Sequence, residues 1–295
     1  MNRNDLFRNI GEIDDDILER SEGAPGSGRK TIWLKWAAIA ACLCLVVGIA
    51  IPVLHFKGGT DPVKDIAALE FNGKFYEAVD LPEVLEKYGM PPKITADMAG
   101  QHLAYLKSDG GSGYKCTPVE TDMELYQYAP AICDGVMLLR DGDHWFAALF
   151  CNFYQFDSNT SVELTELYRV YGIESAADIA SITEMGKGSR EEIGTPVTET
   201  AEISAFYDMT TALWSYGNED FQKEMFGGYT DEDAQLAAYS AFADDRRNVR
   251  IETADGLRFF IAFYPSYDWI YGGGTMSYFK IDKQMHAWID RNLNR

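Results

Sequence analysis

The sequence predicts an α+β chain, an exported domain of antiparallel hairpins packed with several helices and preceded by one transmembrane helix. Three observations carry the prediction. The run Trp36 to Leu54 holds 19 residues with no charged or strongly polar side chain. Beyond it, strand-like segments come in pairs around Asn72-Gly73, Asp141-Gly142-Asp143 and Ala254-Asp255-Gly256. Between the pairs lie segments with helical spacing and recognisable caps.

The apolar run is long enough to cross a bilayer as one helix. At 1.5 Å per residue a helix of that length spans roughly 28 Å, close to the hydrocarbon thickness of a bilayer. Trp33 and Trp36 stand at its leading edge, where indole rings favour the headgroup zone. Arg29, Lys30 and Lys35 precede it, so the positive-inside bias sets residues 1–31 in the cytoplasm, 32–56 across the membrane and 61–295 outside. The long lead-in and the lack of a small-x-small site before Lys57 favour an uncleaved anchor over a secretory signal. Ile39-Ala40-Ala41-Cys42 has the look of a lipobox, but only six residues separate Cys42 from Lys35, too few for an apolar leader.

In the tail, Leu6, Ile10, Ile13 and Ile17 recur at helical spacing on an acidic segment, followed by the flexible Gly23 to Gly28. One reading is a short amphipathic helix that docks into a partner's groove through Ile10, Ile13 and Ile17. The other is a lead-in that only sets topology. Gly23 to Thr31 nearly spells the phosphate-binding pattern GxxxxGK[ST], with one residue too many and no α/β context around it.

The string Ile10-Gly-Glu-Ile-Asp-Asp-Asp-Ile-Leu-Glu19, a basic linker, and Trp33 to Leu45 together resemble the N-termini of single-pass proteins of clostridial-type Firmicutes. Some of these are similar to membrane-bound anti-sigma factors. The resemblance covers roughly the first 55 residues and implies an anchored protein with a cytoplasmic regulatory partner such as a sigma factor. The tail lacks the His and Cys pattern of a zinc-binding anti-sigma domain.

In the exported part, Ile66–Phe71 and Lys74–Val79 flank the Asn72-Gly73 turn, and Leu81–Tyr88 reads as a helix with Pro82 in its first turn. Leu125–Tyr128 reads as a strand. Ile132–Leu139 and Trp145–Phe153 form a second hairpin, apolar on both faces and hence central in a covered sheet. Ser161–Tyr171 is a helix ended by Gly172, Asp178–Glu184 a strand and Thr200–Trp214 an amphipathic helix. Val249–Thr253 and Leu257–Tyr264 make a third hairpin, Met276–Ile281 a last strand, and Asp282 caps a final helix to Leu293. The polar stretch 186–194 is a candidate boundary between two halves, which do not align residue for residue, so no repeat is read.

Composition narrows the function. The chain of 295 residues is 46% apolar and 24% charged, which excludes a disordered or collagen-like chain. Residues 1–60 hold seven bases and seven acids, so the part beyond carries the whole net charge of −20. Such a surface repels phosphates, and no nucleic-acid partner is expected.

No catalytic, cofactor-binding or metal-ligating set emerges. His102, His144 and His286 match no ligand spacing. Ser277-Tyr-Phe-Lys280 matches SxxK, but the segment alternates like a strand and would send Ser277 and Lys280 to opposite faces. A three-residue turn would set Cys133 opposite Cys151, and both a disulfide and buried thiols stay open. Tyr264, Tyr267, Asp268, Trp269 and Tyr271, interrupted by Pro265 and closed by three glycines, have the pattern of a projecting aromatic loop. Such a loop would stack on a wall carbohydrate or anchor a peptide, and a loop folded onto its own sheet would use the same residues.

The expected function is a membrane-anchored extracytoplasmic sensory or binding protein, regulatory through its tail. The alternative is an exported cell-wall-associated enzyme working through a pair of acidic residues.

Overall fold

Two six-stranded antiparallel sheets and six helices make up the residues described by the computed structural model, 69–106, 122–153, 162–186, 191–272 and 277–293. The first sheet has strands β1 (Leu69–Phe71), β2 (Lys74–Val79), β3 (Ala99–Leu106), β4 (Met123–Tyr128), β5 (Val136–Asp141) and β6 (His144–Phe153) in the order β1-β2-β6-β5-β4-β3. Helix α1 (Pro82–Lys87) and a 3₁₀ turn (Ala96–Met98) join β2 to β3. The second sheet has β7 (Ile179–Met185), β8 (Ser215–Tyr216), β9 (Arg247–Thr253), β10 (Arg258–Tyr264), β11 (Trp269–Gly272) and β12 (Ser277–Lys280) in the order β7-β9-β10-β11-β12-β8. With it go α2 (Leu164–Val170), α3 (Thr200–Thr211), α4 (Asn218–Phe226), α5 (Glu232–Asp244) and α6 (Lys283–Asn292).

Local chemistry explains the joints. Asn72 and Gly73 take φ of 49° and 72°, the left-handed pair that closes β1 on β2 with the right twist. Pro82 opens α1, where its missing N–H is no loss. Asp282 accepts from the backbone N–H groups of Gln284 and Met285 at the start of α6, and Asp231 accepts from that of Ala234 in α5.

Three expectations are corrected. Among the described residues no helix is long and apolar enough to cross a membrane. The expected fold class therefore stands only as α+β with antiparallel sheets; the helix placed at 32–56, like the tail with Ile10, Ile13 and Ile17, lies outside the described residues. The second correction concerns register. Asp141 pairs with His144, so the β5–β6 turn has two residues, and the ladder runs Val136 to Leu149. This one-residue difference slides Cys151 off Cys133, and both are free thiols.

The third concerns the halves: β7 precedes the stretch 186–194 yet belongs to the second sheet, so the two halves are the two sheets with their helices, and they show a structural repeat. Helix α1 runs through Tyr88, Gly89 and Met90 to a 3₁₀ turn and β3; α2 runs through Tyr171, Gly172 and Ile173 to a 3₁₀ turn (Ala176–Asp178) and β7. Both glycines have positive φ, 78° and 72°. Ala129 after β4 donates its N–H to Met98, the last residue of the first 3₁₀ turn, and Ala254 after β9 donates to Asp178, the last of the second, at 2.9 and 2.8 Å. Ala99 pairs with Tyr128 and Ile179 with Thr253, each followed by a bulge. The halves are thus built alike, although their side chains are not.

Each helix end clasps the opposite half. The Arg258 N–H donates to the Tyr88 carbonyl at 3.0 Å, and the Tyr88 ring meets Phe260 edge-on. In return Tyr171, stacked on Phe259 of its own half at 4.3 Å, lies against Gly135 of the first half, where a Cβ would come within 2.5 Å of its ring. One apolar core joins one face of the first sheet (Met123, Leu125, Met137, Leu139, Phe150) to one face of the second (Ile182, Val249, Ile251, Ile261, Phe263), with α2, α3 and α6.

Candidate functional site

The structural likeness of the halves shows where they part. In the second sheet Ile182, Val249, Ile251 and Ile261 share the core face, all at most 1% exposed. Helices α3 and α6 cover that face, with Phe206 against Phe263 and Trp288. Matching by register, Ile182 pairs with Ile251 as His102 pairs with Tyr126, and Val249 pairs with Ile261 as Glu124 pairs with Arg140. The four core positions of one half are therefore His102, Glu124, Tyr126 and Arg140 in the other. Their side chains are partly exposed, with His102, Glu124 and Arg140 between 31% and 38% exposed.

These residues lie on the face of the first sheet turned away from its core side, because neighbours Met123, Leu125 and Leu139 point the other way. Register aligns Tyr105, Glu124, Arg140 and Trp145 in one row across β3, β4, β5 and β6. A bulge between His102 and Ala104 shifts the alternation, so that His102 and Tyr105, three residues apart, share the face. Their rings are 4.3 Å apart, His102 lies 5.0 Å from Tyr126, and Tyr126 lies 5.2 Å from Trp145. The result is a continuous band of π surfaces over four strands.

Polar groups are set into the band. Glu124 accepts the Tyr126 hydroxyl, and that bond holds the phenol above its ordinary pKa. The Arg140 guanidinium is 3.6 Å from Glu124, lies 5.8 Å from the Trp145 ring centre and donates to the Gly142 carbonyl at 2.8 Å. His102 Nε2 is buried without a hydrogen bond, 3.9 Å from Glu124. Acceptor, donors and ring faces therefore stand together, and the pair of charges sums to zero.

The residues singled out from sequence sit elsewhere. Tyr264, Trp269 and Tyr271 lie on strands β10 and β11 with at most 3% exposure, and Pro265–Tyr267 is a 3₁₀ turn between those strands. Trp269 packs edge-on to Tyr216 and Phe221 and directs its indole N–H to the Met225 sulfur. Tyr267 meets Phe242 edge-on. Asp268, with φ of 64°, is exposed and bonded to His286. The segment is thus a tight crossing on the sheet rather than a projection. Ser277 is buried and Lys280 exposed on β12, opposite in orientation as alternation requires. Among the described residues no group of three or more His, Cys, Asp and Glu could hold a metal ion.

The open face itself left little trace in the sequence. Tyr126 falls in a predicted strand and Glu124 and Arg140 just outside the predicted ones, and the bulge that gathers His102 and Tyr105 breaks the alternation by which β3 would be read. No protein-family model matches the chain, and neither a curated protein nor a solved structure is similar to it.

Proposed function

We propose that the chain is an extracytoplasmic sensory or binding protein whose recognition face is the band Tyr105, His102, Tyr126 and Trp145 with Glu124 and Arg140. One observation carries this reading: positions that are apolar, buried and covered by helices in one half are aromatic or charged and partly exposed in the other. Leaving these positions partly exposed forgoes the burial of several large apolar side chains, each worth about 1.5–3 kcal/mol. A face kept open at that cost, and lined by Tyr, Trp and Arg, has the composition of a binding surface. A cytoplasmic regulator, such as a sigma factor held by Ile10, Ile13 and Ile17, would be the output side of the same proposal; the helical spacing of those residues supports it.

The test is binding of the purified chain to cell-wall fragments by sedimentation, with Trp145→Ala and Arg140→Ala beside the parent. Loss of binding with unchanged Tm supports the reading. Retained binding in both variants removes this face from the function. Release of new reducing ends or peptide amines from the fragments would instead bring in the rival, a wall-associated enzyme.

A further inference from the structure

We infer that the ligand of this face is a neutral oligosaccharide lying across strands β3 to β6. The inference rests on the binding face proposed above and adds the class of ligand. The row Tyr105, Glu124, Arg140, Trp145 fixes its geometry. Three inter-strand steps separate the two aromatic ends by about 14 Å, long enough for a short oligosaccharide. A sugar ring presents C–H faces that suit the electron-rich face of an aromatic ring, and hydroxyls on its rim that need both donors and acceptors. The band supplies these in the same order: a ring at each end, a carboxylate acceptor and a five-donor guanidinium between them.

Charge selects against other ligands. Glu124 and Arg140 cancel, so the face offers no net attraction to a polyanion or a polycation. The −20 of the whole chain further opposes polyanions. A peptide added as a strand would pair with β3, the end strand of the sheet, and meet only the Tyr105 end of the row, whereas the row continues over β4, β5 and β6, whose backbones are already paired on both sides.

The experiment is titration calorimetry of the full purified chain with chitotetraose and cellotetraose, and with heparin as a charged control. Saturable binding of a tetrasaccharide is expected, little changed by added salt, because no net charge is neutralised. Tyr105→Ala and Trp145→Ala should each weaken it about tenfold or more, with the Tm of Tyr105→Ala unchanged. Arg140→Lys, which keeps the charge but loses the planar fork, should weaken it as well. Absence of binding to both sugars at about 5 mM, a Kd range in which even weak stacking registers, overturns the inference. So does salt-sensitive binding of heparin alone. Peptides selected from a displayed library whose binding is lost in the same variants would keep the face and refute the sugar. Selected peptides and sugars that all ignore the three variants would remove the face itself.

Discussion

Gly89 faces the carbonyl of Gly256 so closely that a Cβ on Gly89 would stand 2.0 Å from that oxygen. The contact joins the end of α1 to the β9–β10 turn, and the Arg258 N–H bond to Tyr88 lies beside it. Gly89→Ala meets two penalties, the clash with backbone and a φ of 78°. It should cost about 3 kcal/mol or more, read as a fall in the denaturation midpoint. Gly256→Ala, at φ of 85° with open space around it, should cost only about 1–2 kcal/mol.

Trp269 and Tyr105 should respond oppositely to truncation. Trp269 is 1% exposed beneath α4, so Trp269→Ala opens a cavity and should cost about 3–5 kcal/mol. Tyr105 is 66% exposed, and Tyr105→Ala should change stability by less than about 0.5 kcal/mol. Chemical denaturation of both variants decides the point. A Trp269→Ala protein as stable as the parent would return that residue to the list of recognition groups.

Asp178 should make a small, signed contribution to acid stability. Partial burial pulls its pKa up, but bonds from the Glu174 and Ser175 backbone N–H groups and the Ser175 hydroxyl outweigh this and hold it below the ordinary aspartate value. A depressed folded pKa means that the stabilisation is present above the unfolded value and is lost as pH falls through the folded one. Asp178→Asn should therefore lower stability near neutrality by about 1 kcal/mol and match the parent at the acid end. Denaturant midpoints between about pH 7 and pH 2.5 follow the convergence.

Cys151 should alkylate slowly. Desolvation, with Glu77 nearby, pushes its thiol up to about 12, and burial also raises Cys133. At pH 8 the folded protein should react with iodoacetamide at these two sites many-fold more slowly than the unfolded chain, because the thiolate is the nucleophile. Mass mapping of modified peptides after timed quenching reads it out. Rapid labelling of Cys151 in the native state would contradict the burial described.

The sequence by itself determined the local structure. Asn72-Gly73, Pro82, Gly172, Ala254-Asp255-Gly256 and Asp282 each impose a turn, a start or a stop through their own backbone chemistry, so the hairpins and most helix ends were legible. The α+β class followed from them. Only the tertiary structure decided what those elements face. Strand β11, with Trp269 and Tyr271, has the composition of an exposed aromatic loop until α4 and α5 are laid over it, and no local signal near Trp269 foretells that cover. The likeness of the halves was equally hidden, because it is carried by backbone bonds such as Ala129 to Met98 and Ala254 to Asp178, which place few demands on side chains. The open face followed from both facts. Tyr126 and Ile251 occupy equivalent positions, yet Ile251 is fully buried in the core and Tyr126 only partly buried. Burial is a property of what comes to lie opposite a residue, and that is fixed by contacts distant along the chain.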